Sequence, residues 1–351
     1  MTDRIVQRLL ASDVPLERVP LTAAAAALAP DVAPLADAAT ILEAVDSLVG
    51  LGPVERLLRD PGVTDVLVNG PSDVWVERLG VLERTNVRFT DERAVVAAVE
   101  RAIGPLGLRI DRASPAVDAR LPDGSRLHAV IPPASVDGPI VAVRRFSEAI
   151  ADLDALVEAG GIDGDGATLL SEAVSSRKNL LVAGGTGAGK TTLLNVLSKE
   201  IGDAERIVTV EDAAELRIDG HVVRLEARPP NAEGAGEITL RSLLRHALRL
   251  RPDRIVVGEV RGPEALDMIQ AMSTGHDGSM STIHANGPEE ALWRLESLAV
   301  TADVGISPAT LARQIRSAVD VVVFVRRTRG RRVVASISDV GADAVDEVYR
   351  C

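Results

Sequence analysis

The sequence predicts an α/β chain: a C-terminal phosphate-loop domain on a mainly parallel sheet, a smaller α+β N-terminal domain, and a short helical N-terminal arm. Three observations predict it. A glycine-rich loop, Gly184-Gly-Thr-Gly-Ala-Gly189-Lys190-Thr191, lies between an apolar strand and a helix. From about residue 167 onward, apolar strands alternate with amphipathic helices. Before that, short alternating runs broken by Gly, Pro and Asp read as strands and turns. A length of 351 residues suits two domains better than one.

The elements follow in order. Residues 1–50 are Ala-rich helical pieces cut by prolines at 15, 20, 30 and 34, with no chemistry visible, and read as an arm or packing appendage. Residues 51–148 are the α+β domain. Strands are expected at 63–70, 74–78, 87–90 and 140–146, and a helix over 91–103. A hairpin over 119–131 turns at Pro122-Asp123-Gly124. Residues 149–166 read as a linker plus a short helix. In 167–351, strands are expected at 179–183, 206–210, 254–257, 279–283, 320–325 and 332–337, and helices over 191–200, 240–250 and 263–272. Such alternation means a parallel sheet covered by helices.

Composition excludes several classes. The single cysteine, Cys351, allows no disulfide within the chain and no Cys-based metal site; this fits a reducing compartment. The N-terminus lacks the apolar core of a secretory signal. No stretch approaches the roughly 18 apolar residues of a membrane span, so no direct membrane insertion is expected. A net charge of −12 and six aromatics are poor equipment for gripping nucleic acid. Only three of the 39 basic residues are lysines, so the loop's Lys190 stands out in a chain that otherwise uses arginine.

The loop satisfies G-x-x-x-x-G-K-[ST]. Its glycines let successive backbone N–H groups turn toward phosphate oxygens, and the helix that follows points its positive end at the same anion. Lys190 is a compact charge suited to the β- and γ-phosphates, and Thr191 offers a hydroxyl to Mg²⁺. ATP and Mg²⁺ are the ligands implied. Four further segments bear on what happens to the phosphate. Ile207–Asp212 ends a strand in two carboxylates; Glu211 either orients and deprotonates water or caps the next segment. Ile255-Val-Val-Gly258-Glu259 places one carboxylate after a strand, with Gly258 where an Asp usually stands. His276 and His284 are weak metal evidence; His284 suits a γ-phosphate sensor, or a structural role. Arg241, Arg245 and Arg249 recur every four residues on one helix face, either salt-bridged or reaching a neighbouring subunit's phosphate.

These segments resemble the Walker A, Asp, Walker B and His boxes of the type II/type IV secretion ATPases. They are Gly184–Thr192, Glu211–Leu216, Val256–Gly262 and Ser281–Asn286. Asp118–Arg126, Arg224–Asn231, Arg251–Arg254 and Thr274–Gly278 look like the tight-adherence (Flp) pilus branch, the CpaF/TadA-like ATPases. The resemblance implies a RecA-like P-loop domain in a cytoplasmic homohexamer, held to the membrane's cytoplasmic face by an inner-membrane pilus or secretion platform protein. It implies ATP bound between the two domains, cradled by Gly184, Gly185, Thr186, Gly187, Ala188, Gly189, Lys190, Thr191 and Thr192. One or more of Arg120, Arg126, Arg144 and Arg145 would clamp the nucleotide. Glu211 would activate water, Thr191 and Glu259 would serve Mg²⁺, and His284 would sense the γ-phosphate. Arg241 and Arg245 are weaker carry-overs.

Three functions follow as expectations. The first is a hexameric motor that couples ATP hydrolysis to pilus assembly, retraction or secretion. The second is a conjugative DNA-transfer ATPase on the same fold, against which the acidic charge counts. The third is an ATP-binding assembly scaffold with negligible turnover, against which the intact Lys190, Thr191, Glu211 and Glu259 count.

Overall fold

Runs of Val, Ile and Leu form strands that need partners on both sides, and the chain supplies them in two separate sheets. The computed structural model describes residues 1–78, 80–145, 150–228, 230, 235–328 and 331–351. The chain divides into two compact units, Met1–Ser147 and Glu148–Cys351.

The first unit begins with helices α1 (Thr2–Leu10), α2 (Arg18–Val32) and α3 (Ala38–Val49). They bury Ile5, Leu9, Leu21, Ala25, Ala29 and Val45 against one another. Buried Asp46 on α3 pairs with Arg18 at 2.7 Å and with Arg59, just after α4 (Glu55–Leu58). Residues 1–50, expected as an arm or packing appendage, form a packed helical layer. Next come β1 (Val63–Asn69), β2 (Val74–Arg78), β3 (Val81–Arg84), α5 (Glu92–Ile103), β4 (Ala116–Arg120), β5 (Arg126–Val130) and β6 (Ile140–Arg144). The strands form one antiparallel sheet ordered β3-β2-β1-β6-β5-β4. One face buries Val66, Val68, Val74, Val76, Leu127, Ala129, Val141 and Val143 together with Val95 and Val99 of α5. Asp91 caps α5, accepting from the Ala94 N–H at 2.8 Å. The turn at 122–124 forms as expected: Gly124 has φ 88° and the Ser125 N–H reaches Asp123 at 2.9 Å. The strand expected at 87–90 does not form. Val87 and Phe89 instead plug the core from an extended segment, and the partner of β2 is β3. Phe146, expected to end β6, lies outside the described residues.

The second unit contains α6 (Leu153–Glu158), α7 (Gly164–Ser175), β7 (Leu180–Gly184), α8 (Lys190–Ser198), β8 (Ile207–Glu211), β9 (Val222–Glu226), α9 (Leu240–Ala247), β10 (Arg254–Val257), α10 (Glu264–Ser273), β11 (Met280–Ile283), α11 (Pro288–Val300), α12 (Pro308–Ala318), β12 (Val321–Thr328), β13 (Arg331–Val340) and β14 (Val345–Arg350). The sheet runs β14-β13-β12-β7-β11-β10-β8-β9, parallel from β12 to β9 and antiparallel at the β13–β14 edge. Alternate strand residues face opposite ways. Leu181, Ala183, Val210, Val257 and Ile283 pack on α9–α12; Leu180, Val182, Val256 and Met280 pack on α6–α8. Leu153, Leu156 and Ile162 belong to the latter core, and α6 is a short helix within the stretch expected as a linker plus a short helix.

One ion pair, between buried Arg254 and half-buried Glu205, which also pairs with Arg177 at 2.7 Å, locks the amino ends of these strands. Arg254, 1% exposed, grips Glu205 through Nε (2.8 Å) and Nη2 (2.7 Å) and donates to the Val174 carbonyl at 2.8 Å. A Cβ on Gly278 would stand 2.6 Å from that guanidinium, so the Arg251–Arg254 and Thr274–Gly278 motifs meet at one charge. Removing one partner of a buried pair strands the other. Glu205→Ala should therefore cost about 3 kcal/mol in urea unfolding, and Arg254→Met, which deletes the charge and keeps the volume, should cost less. Equal losses would show that the charge is not the cause.

Candidate phosphate-binding active site

β7, β11, β10 and β8 are adjacent and parallel, so their carboxyl ends open on one crevice. Ala183 pairs with Ile283, Ser281 with Val257, and Val257 with Val210. The next residue or two along each strand deliver the loop at Gly184, His284, Gly258–Glu259, and Glu211.

The loop is shaped by its glycines. A Cβ on Gly184 would lie 2.5 Å from the Val325 carbonyl oxygen. Gly187 (φ 70°) and Gly189 (φ 99°) take left-handed backbone, and Gly189 is the N-cap of α8. Lys190 is buried, and its Nζ donates to the carbonyls of Gly184 and Gly185, both at 3.1 Å. The same nitrogen stands 3.3 Å from His284 Nε2 and 3.7 Å from Glu259 Oε1.

Glu259 joins the cluster. Its Oε1 lies 2.8 Å from His284 Nε2 outside hydrogen-bond alignment, so this buried oxygen has no hydrogen-bond donor. Its Oε2 accepts from Arg261 Nε at 2.6 Å, and Arg261 also approaches Asp212 at 3.9 Å. Arg261 thus ties the Glu259 strand end to the Glu211 strand end. The sequence reading gave it no role, although its place two residues after Glu259 was the available signal. Burial pushes the His284 imidazole below its ordinary value; Lys190, Arg261 and Arg294 push the same way and Glu259 opposes them. Burial therefore favours the neutral form of His284.

Glu211 is fully buried and splits its duties. Oε2 accepts the N–H groups of Glu215 (2.7 Å) and Leu216 (2.8 Å), the capping role; Oε1 is buried without a hydrogen-bond donor. Gly258 makes this possible, since a Cβ there would lie 3.0 Å from Glu211 Cγ. The missing Asp of the β10 strand end is therefore explained: Glu211 occupies its space.

The remaining candidates stand on other elements. Arg241 and Arg245 each donate through Nε to Asp267 of α10, at 2.8 and 2.9 Å, on the helical layer across the sheet from α8. This is the salt-bridged face. In the first unit, Arg120, Arg126 and Arg144 stand at directly opposed positions on β4, β5 and β6 and so share one sheet face, with Asp65 beside Arg144 at 3.8 Å. Arg145 instead braces the backbone, donating to the carbonyls of Asp60 and of Val63 at 3.0 Å. Pro229 and Asn231 of the Arg224–Asn231 stretch lie outside the described residues.

These residues fit a nucleotide phosphate with a divalent ion. The loop is a cradle that side chains would fill, and two buried carboxylate oxygens beside it lack donors. Among the described residues, no group of three His, Cys, Asp or Glu could hold a metal by itself. An ion here would need phosphate oxygens and water as its other ligands, as Mg²⁺ prefers.

Burial raises the Glu211 carboxyl above its ordinary value, while the N–H bonds from Leu216 and Glu215 pull it back. A carboxyl raised in the fold favours the fold when protonated. That contribution is full below the ordinary value of 4.5 and is lost as pH climbs through the raised one. Glu211→Gln should therefore melt no lower than the parent at mildly alkaline pH, with the difference narrowing below pH 4.5. A clearly lower melting temperature in alkali would refute it. Gly258→Ala should keep the fold and depress turnover by displacing the Glu211 carboxylate; unchanged turnover would show that its position is unimportant.

Comparison with known proteins agrees with this geometry. The family described as "Type II/IV secretion system protein" matches residues 47–342. Rv3659c of Mycobacterium tuberculosis (strain ATCC 25618 / H37Rv), named for conjugal transfer, is 46% identical over 83% of this chain and 84% of its own length. The type IV secretion system protein PtlH of Bordetella pertussis (strain Tohama I / ATCC BAA-589 / NCTC 13251) is 34% identical over 79% and 89%. Among solved structures, the pilus retraction motor PilT with bound ADP superposes at a TM-score of 0.57, with 20% identity over 85% of this chain and 82% of that one; at that identity the likeness speaks to fold, a RecA-like P-loop domain included. The chain belongs to the type II/IV secretion system protein family, and it is an ATPase.

Proposed function

We propose that the chain hydrolyses ATP with Mg²⁺ as the motor of a type II/IV-type secretion, pilus or conjugation apparatus. The observation that carries this is the convergence of Lys190, Glu259 and His284, with the open Glu211 oxygen one strand away. In this reading the loop N–H groups and Lys190 hold the β- and γ-phosphates and neutralise their charge. Thr191 and Glu259 hold Mg²⁺, which supplies charge neutralisation on the phosphate oxygens when bound. Glu211 orients the attacking water and takes its proton; burial makes it a better base near neutral pH. Neutral His284 hydrogen-bonds the γ-phosphate without adding charge. Arg120, Arg126 and Arg144 share one sheet face and are the arginines assigned to the nucleotide clamp; Arg241 and Arg245 pair with Asp267.

The assembly is a homohexamer at the cytoplasmic face of the membrane, docked on a platform protein. Among the described residues no helix is long and apolar enough to cross a membrane. Relatives named for conjugal transfer and for type IV secretion support the conjugative reading beside the tight-adherence pilus reading. The net charge of −12 favours cargo handled through partners over direct DNA contact.

Steady-state phosphate release tests the reading. Glu211→Gln and Glu259→Gln should each fall about 10²–10⁴-fold in kcat, with nucleotide still bound. Parent release no faster than that of Glu259→Gln would leave the scaffold function in its place. Salt-sensitive, stoichiometric DNA binding by the full chain would move the proposal to a DNA pump.

A further inference from the structure

The β12–β13 hairpin carries charge that the site above does not use. In an acidic chain, Arg326, Arg327, Arg331 and Arg332 all sit exposed on its two strands. The register places it. Val325 pairs with Gly184, where β7 turns into the phosphate loop, and β12 runs on through Thr328. The ribbon therefore stands as a wall beside the loop.

One side chain crosses from that wall to the loop. Arg332 Nε donates to the Gly187 carbonyl at 3.2 Å. Its stem lies along Gly189: a Cβ there would meet Arg332 Cδ at 3.1 Å and its Cβ at 3.6 Å. These are the two loop glycines with left-handed backbone. A donor on that carbonyl fixes the plane of the Gly187–Ala188 peptide, whose N–H turns back to the Gly185 carbonyl at 3.3 Å, and so limits the directions open to the loop's other N–H groups, the donors an anion needs. Arg327 occupies the position directly opposite Arg332 and so shares its face, whereas Arg326 and Arg331, one residue along, project the other way.

We propose that Arg332 is a positioning residue of the nucleotide site: it holds the phosphate loop in its anion-receiving shape from the C-terminal hairpin. This rests on the nucleotide reading of the loop. The loop glycines leave the backbone many conformations, and binding must select one of them. A side chain that makes the selection beforehand raises affinity for any phosphate-bearing ligand of the loop and leaves chemistry at saturation nearly unchanged.

The test uses the full chain and a fluorescent ADP analogue, with phosphate release beside it. Arg332→Gln should bind ADP about tenfold more weakly, the size of one charge-assisted hydrogen bond. Its KM for ATP should rise to match, with kcat within about twofold. Arg332→Lys keeps the charge and stem but places a methylene where Nε stood, so it should stay weak. Arg326→Gln, on the other face, should bind as the parent does. Unchanged affinity in Arg332→Gln overturns the proposal. So does restored affinity in Arg332→Lys, or equal loss in Arg326→Gln, since either assigns the effect to ribbon charge alone. Failure of the parent chain to bind ADP, with Lys190→Ala no different, sinks the nucleotide reading itself. Parent binding that is lost in Lys190→Ala and intact in Arg332→Gln sinks this proposal alone.

Discussion

The site is organised by one buried cation. Lys190 is 8% exposed, and an ammonium out of water is costly unless its three donors and its charge are answered. Two donors go to the loop's own carbonyls, which answer its hydrogen bonding but not its charge. Glu259 Oε1 stands 3.7 Å away, and that oxygen is also approached by His284 while Arg261 takes Oε2. Three cationic or polar groups thus share one carboxylate. The ammonium and the guanidinium on that carboxylate supply the positive charge that an incoming phosphate would meet. The parallel order β7-β11-β10-β8 is what allows it, because no single strand could bring all these groups within reach.

The second carboxylate shows how the strands constrain one another. Glu211 needs space for a desolvated head group, and Gly258 on the neighbouring strand leaves it. The two positions are therefore one feature. An aspartate at 258 would compete with Glu211 for the same volume and add a like charge in a poorly solvated place. Losing the usual Asp at the β10 end does not leave the crevice short of an acid; the acid comes from β8.

Much of this was legible in the residues. The loop, its flanking strand and helix, and the acidic and histidine strand ends are local patterns, and each stands where its spacing put it. Features that depend on distant partners were not legible. Arg261 matters because it spans Glu259 and Asp212, and Arg332 because β12 runs past Gly184; neither follows from local spacing. Arg145 looks like its neighbour Arg144 in sequence, yet it braces Asp60 and Val63 while Arg144 joins the row on the sheet. Helices α11 and α12 left a signal that went unassigned: Ala291, Leu292, Leu295 and Leu298 recur at helical spacing and are buried. Strand β9, with exposed alternate residues at the sheet edge, left almost none. Val87 and Phe89 alternate as a strand would, but only burial, not pairing, demanded them.

The site also explains features that folding alone would remove. Glu211 holds a buried oxygen with no donor, Gly187 and Gly189 sit in backbone that only glycine adopts cheaply, and Lys190 takes a charge out of water. Each lowers stability, and an apolar or better-hydrated residue would fold better at each place. Arg254 makes the contrast. It too is a buried cation, but Glu205 answers both its charge and its geometry, and the Val174 carbonyl takes a further donor. The amino ends of the strands thus carry a buried charge gripped by a carboxylate, and the carboxyl ends carry two buried carboxylate oxygens without donors. A purely structural sheet has no reason for that polarity. A sheet that must receive a phosphate at one end does.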